Sequence, residues 1–196
     1  MAVAVAAGEG TNAIATRLWR AMSFESDVVV LLPILRRYAH ALTGNAAWAD
    51  DLVQDTAERA LRRWTTWSAN GNLRAWLLTI LRNLYIDQLR KQREISTGDN
   101  DALWRGMAVP EEKVDGLFLR DVQRALYSLP MEQREVLLLI GLEELSYQEA
   151  SSILKIPLGT VMSRLSRARE HMHGLMFAKK ANLRGKPALK VVRGTQ

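Results

Sequence analysis

Thr160, Ser163, Arg164, Ser166, Arg167 and Arg169 crowd into the stretch "PLGTVMSRLSRAREHM", residues 157–172. A guanidinium forks onto guanine O6 and N7 or onto phosphate oxygens, and serine or threonine hydroxyls serve bases and phosphates alike. DNA contact is therefore the chemistry these side chains could share, provided one helix presents them together. The apolar residues Val161, Leu165, Ala168 and Met172 recur at helical spacing and predict an inward face. Ser163, Arg167 and Glu170 then point outward, with Thr160 and Arg164 on one flank and Ser166 on the other. Upstream, Ser146 and Glu149 have capping-box spacing and predict a helix running to about Leu154. "KIP" breaks that helix, and Pro157 suits the first turn of a new one. A short helix, a tight turn and a second helix with a Ser/Thr/Arg outer face form the DNA-reading helix-turn-helix layout. A solvated helix whose arginines touch nothing is the bland alternative. The cap, the turn proline and the small outward residues agree with one another and favour DNA.

A second group is acidic. In "WADDLVQDTAERALRRW" the residues Val53, Ala57, Ala60, Leu61 and Trp64 share one predicted face, and Asp51, Asp55, Glu58 and Arg62 the opposite one, with Gln54 at its edge. Spacing alone makes this a solvated stripe. Adjacent Asp50 and Asp51 diverge by about 100° on a helix, so they do not converge for acid–base work. No metal site is expected either: His171 and His173 point to different sides of a helix, His40 is remote, and the chain has no cysteine. No carboxylate or histidine cluster supports an enzyme acting on nucleic acid, and no cofactor or small-molecule substrate is expected.

Periodicity at three- and four-residue steps runs almost throughout, and strand signals are nearly absent, so the fold class expected is all-α. Two helical blocks emerge. Residues 26–93 form the first, broken by "LTGNA" and "TWSANGN"; residues 114–178 form the second. Between them, 94–113 is polar and interrupted by Gly98, Gly106 and Pro110, the composition of a flexible linker. The opening residues, 1–25, read as a disordered extension, and 179–196 as a basic tail. In the helix beginning near Leu73, the stripe Leu73, Trp76, Leu77, Ile80 and Leu84 gives way to Tyr85, Ile86 and Leu89. That shift means either a bend near Asn83 or a change of packing partner. Core packing is favoured over base stacking for Trp64 and Trp76.

The formal charge is +6 over 196 residues, yet the tail holds six Lys or Arg and no acid, leaving 21 basic against 21 acidic residues elsewhere. Bulk basicity therefore argues nothing; only placement does. The apolar runs are far too short to cross a bilayer, no secretory signal is legible, and the absence of cysteine suits a reducing cytoplasm.

"LPMEQREVLLLIGLEELSYQEASSILKIPLGTVMSRLSRAR" resembles region 4 of the extracytoplasmic-function sigma factors, small two-domain bacterial transcription initiation factors. "DDLVQDTAERALRRW" with "NLRAWLLTILRNLYIDQLRKQRE" resembles their region 2. The resemblance implies that region 2 docks on the clamp helices of the polymerase beta-prime subunit and holds the opened −10 element. Region 4 would read the −35 element as duplex, with the beta subunit also a partner. Carried onto this chain, it makes Asp51, Gln54, Asp55 and Glu58 the core-polymerase dock. Asn83, Arg82, Asn70, Asn72, Arg90 and Lys91 would meet −10 DNA, Asn83 pairing with a captured base and the cations holding phosphates. Thr160, Ser163, Arg164, Ser166, Arg167 and Arg169 would meet −35 DNA. It implies an anti-sigma factor as well, whether soluble or holding the protein at the membrane, a cytoplasmic location and a stress-response setting. Departures from the family pattern fall at Asp55, Ala150, Ser151, Lys155 and Met162. A stand-alone helix-turn-helix regulator, dimeric and independent of polymerase, is the competing reading.

Overall fold

A computed structural model describes residues 3–68, 71–95 and 117–184, with side chains over 19–68, 71–92, 94 and 119–177. Helix α1 spans Val3–Thr43, α2 Ala46–Arg62 and α3 Leu73–Ile95, with a 3-10 turn at Trp64–Thr66. Helices α4 (Leu117–Ser128), α5 (Met131–Leu137), α6 (Tyr147–Leu154) and α7 (Leu158–Arg184) make the second lobe. No strand occurs among the described residues. The predicted linker lies almost wholly outside them, as do Asn70 and the end of the basic tail.

Two expectations about the ends change. The segment predicted as a disordered extension is helical from Val3. "AVAVAA" is rich in the strongest helix former, and a helix already nucleated downstream propagates through such residues at little cost. Residues 179–184, assigned to the tail, continue α7 for the same cooperative reason.

In the first lobe, Asn45 caps α2 by accepting the Trp48 amide at 2.9 Å. The buried face of α2 is Ala49, Leu52, Val53, Thr56 and Ala60, so it is turned from the predicted one: Leu61 is exposed, whereas Thr56 is buried with its hydroxyl donating to the Leu52 carbonyl at 2.7 Å. A threonine that back-bonds within its own helix passes as apolar, which polarity-based patterning misses. Trp64 and Trp76 pack against the core, Trp76 edge-on to Phe24. Helix α3 continues unbroken past Asn83, and Leu77, Leu78, Leu81 and Tyr85 are all fully buried. Helices α1, α2 and, from the second lobe, α6 all lie against α3.

The lobes therefore share one core, running from Leu35, Tyr38 and Leu81 through Leu139 and Ile153 to Val161. Arg134 sits inside this junction, 4% exposed. Its guanidinium donates to the carbonyls of Leu126, Tyr127 and Leu129 at the end of α4, at 3.1, 2.8 and 3.2 Å, and to Leu42 at the end of α1, at 3.4 Å. Two helix C-termini, each with unpaired carbonyls and a negative dipole end, thus converge on one cation. The Tyr127 ring lies 5.1 Å from the same guanidinium, and its hydroxyl donates to the His40 carbonyl at 3.1 Å.

Candidate nucleic-acid and polymerase interface

The helix-turn-helix forms as its local chemistry dictates. Ser146 accepts the Glu149 amide at 3.2 Å while the Glu149 carboxylate takes the Ser146 amide at 2.9 Å, completing the capping box. The Ser146 hydroxyl, which donates to the same carboxylate at 2.7 Å, and then the Ser146 amide hold the Glu149 carboxyl below the usual carboxylate range. Lys155 closes α6 in the left-handed region at φ 55°, where glycine would sit without strain. The Pro157 carbonyl accepts the Thr160 and Val161 amides at 2.9 and 3.1 Å and starts α7. Ser151, an unusual residue for a core-facing helix, donates its hydroxyl to the Ile156 carbonyl at 2.6 Å and ties the turn to α6.

On α7, Val161, Leu165 and Ala168 are buried. Ser163, Ser166, Arg167 and Arg169 are exposed, and Thr160 and Arg164 are half-buried at the flank. The six residues predicted to meet −35 DNA therefore lie along one helix, with the serines and Arg167 free to reach a groove.

Asp51, Gln54, Asp55 and Glu58 are all exposed on α2. Glu58 pairs with Arg62 one turn on, Asp55 accepts from Gln88 of α3 at 3.3 Å, and neighbouring Asp50 pairs with Arg36 at 2.8 Å. Surface pairs of this kind hold little energy and exchange readily for a partner's cations. A cleft of about 460 Å³ opens between α2 and α3, where Asp55, Glu58 and Arg62 face Asp87 and Lys91.

The residues predicted for −10 DNA are divided. Arg90 and Lys91 are exposed near the end of α3, and Asn83 is half-buried. Asn72 accepts the Ala75 amide at 3.2 Å, opening α3, while its side-chain amide donates to Glu149 at 2.6 Å. Arg82 forks onto Glu135 at 2.8 and 3.3 Å. Sequence reasoning missed the acids that engage these groups. Glu135 and Glu143 are 1% and 0% exposed, and Glu143 is held by Arg37 and Arg74, each at 3.1 Å. Burial pushes the Glu135 carboxyl up, opposed by Arg82. The visible signal was the position of the two acids at either edge of the apolar run "VLLLIGL".

Among the described residues no group of three metal-ligating side chains gathers, and no helix is long and apolar enough to cross a membrane.

Comparison with known proteins matches each lobe. Residues 28–82 match the profile described as the Sigma2 domain of PhyR, and residues 119–172 the profile of Sigma-70, region 4. The ECF RNA polymerase sigma factor EcfG of Rhodopseudomonas palustris is 38% identical over 79% of this chain and 86% of its own length. SigW of Bacillus subtilis, also an ECF sigma factor, is 31% identical over 76% of this chain and 86% of its own. Among solved structures, the sigma factor RpoE of Bartonella quintana, in complex with the anti-sigma factor NepR, superposes with a TM-score of 0.66 at 34% identity, over 79% of this chain and 96% of that one. With both lobes matched in order and a relative aligned over most of its length, the chain belongs to the ECF RNA polymerase sigma factors.

Proposed function

We propose that the two lobes divide promoter recognition as follows, with 26–93 acting as the polymerase- and −10-binding domain, 94–113 as the tether and 114–178 as the −35-binding domain. Asp51, Gln54, Asp55 and Glu58 form the dock for core polymerase, where exposed carboxylates meet basic side chains of the beta-prime clamp helices. Thr160, Ser163, Arg164, Ser166, Arg167 and Arg169 lie in the major groove of the −35 element. Arg82, Arg90 and Lys91 hold −10 phosphates, and Asn83 with Asn70 and Asn72 contacts bases of the open strand. The exposed Ser163/Arg167 face of α7, behind a capped helix-turn-helix, is the observation that carries this reading.

The protein is a binding factor without catalysis of its own, acting in the cytoplasm. A protein anti-sigma factor is its expected regulator, supported by the relative found bound to NepR. The test is co-elution of the full chain with bacterial core RNA polymerase, beside a variant carrying Asp51→Arg, Asp55→Arg and Glu58→Arg. Co-elution lost in the variant supports the dock. A wild-type chain that ignores polymerase yet binds duplex DNA as a dimer would put the stand-alone regulator in its place.

A further inference from the structure

Three acids of the second lobe reach into the first and take the donors assigned above to −10 DNA or to its immediate surroundings. Glu135 takes both arms of Arg82, whose side chain is only 18% exposed. Glu149 takes the Asn72 amide. Glu143, buried completely, takes Arg74 from α3 and Arg37 from α1. Carboxylates and phosphates present the same planar, anionic acceptors to a guanidinium, and a fork occupied by one is closed to the other.

The backbone is shaped to deliver these acids. A π-helical turn at Leu138–Leu142 ends α5, the Glu143 amide closes it on the Leu138 carbonyl at 3.0 Å, and Glu144 follows in the left-handed region at φ 52°. Such turns are rare and cost more than α-helix, so they persist where a side chain must be aimed. Here the aimed side chain is Glu143. Arg164, on the flank of the DNA-facing helix α7, also lies within electrostatic reach of Glu135 and stabilises its charge.

We propose that the second lobe is an intramolecular stand-in for the DNA strand: Glu135, Glu143 and Glu149 latch the lobes shut over Arg82, Arg74 and Asn72, and single-stranded DNA must displace them. The proposal rests on the −10 role given above to Arg82 and Asn72. A latch of this kind sets the apparent affinity of the free chain by the fraction of molecules that are open.

The test uses the full chain, whose lack of cysteine allows labels to be placed at will. Spin labels at Val30→Cys and Ser152→Cys report the distance between lobes, and a fluorescent single-stranded oligonucleotide of mixed sequence reports the phosphate-binding face. The latched chain gives one narrow distance. Adding Glu135→Lys and Glu143→Lys, which set like charges against Arg82 and against Arg37 and Arg74, broadens and lengthens it and tightens oligonucleotide binding about 10- to 100-fold, as expected for a minor open state of a few per cent. A second protein guards against misfolding of that variant: Asn72→Cys with Glu149→Cys, joined by a thiol-cleavable bis-maleimide. It binds the oligonucleotide weakly until the link is cut, and the cut form of the same protein is the reference. Lobes already apart in the unmodified chain overturn the latch, and so does opening that leaves oligonucleotide binding unchanged. The site assignment is checked separately: polymerase-bound protein whose oligonucleotide binding ignores Arg82→Ala overturns the −10 role of that residue, while the distance still decides whether the lobes are latched.

Discussion

The outer face of α7 and the middle of α3, proposed above for −35 and −10 DNA, carry the same kinds of side chain in opposite circumstances. On α7, Ser163 and Arg167 stand in solvent. On α3, Arg82 is held by a carboxylate that is itself out of water. Residues in solvent contribute to recognition with little bearing on stability, whereas residues in a buried network contribute to both. Identity at a position does not say which case applies; the neighbour does.

The comparison breaks first at Arg134, which joins the lobes. Arg134→Ala strands buried carbonyls at two helix ends and should cost about 3 kcal/mol or more, read by chemical denaturation. A loss under about 1 kcal/mol would mean water replaces the guanidinium. On the open face, Arg167→Ala should leave the denaturation midpoint within about 0.5 kcal/mol of wild type. If Arg167 forks to a base, the same change lowers −35 duplex affinity by about 1–3 kcal/mol, measured with the polymerase-bound protein. A stability loss matching the affinity loss would show that α7 is not the independent surface described.

Ser146→Ala removes the cap of α6 and should cost about 1 kcal/mol, visible as a lower melting temperature. The smallest effects concern pH, and two of the three lobe-contacting glutamates have opposite signs. Glu149, held below the usual carboxylate range by Ser146, contributes stability that is present above that range and is lost as pH falls through its own lower value. Glu149→Gln should flatten the acid limb of the melting profile. Glu135, pushed up mainly by burial, contributes most when protonated, and that contribution is lost as pH rises from the usual carboxylate range through its raised value. Glu135→Gln should remove that decline. Melting curves across the acid range, taken on both variants, separate the slopes.

The helix-turn-helix was legible because every signal for it is local: a cap and its partner three residues apart, a turn residue, a proline, and an inner stripe at helical spacing. The acidic stripe of α2 was legible as a pattern, and its role came from family resemblance. The contact between lobes was not legible. Glu135 and Arg82 are 53 residues apart and Glu143 and Arg37 106 apart, and in sequence each looks like ordinary surface charge. Charges disappear into a core only when the partner is supplied by the tertiary fold. Leu61, expected inside, is exposed, and Thr56, left unassigned, is buried, for a smaller reason, a face rotated by a fraction of a turn. Helix at 3–25 was missed because composition suggested an extension while alanine content favoured continuation.

At the end of α1, the His40 carbonyl accepts both the Gly44 amide, at 2.9 Å, and the Tyr127 hydroxyl from the other lobe, at 3.1 Å. Gly44 itself lies against the Tyr127 ring at φ 70°, so close that a methyl group there would stand 3.0 Å from it. One backbone proton therefore sits where the lobes meet, shielded by a ring that leaves if they part. Its exchange with deuterated solvent would count separations of the lobes without any label, and any partner that wedges them open would announce itself there first.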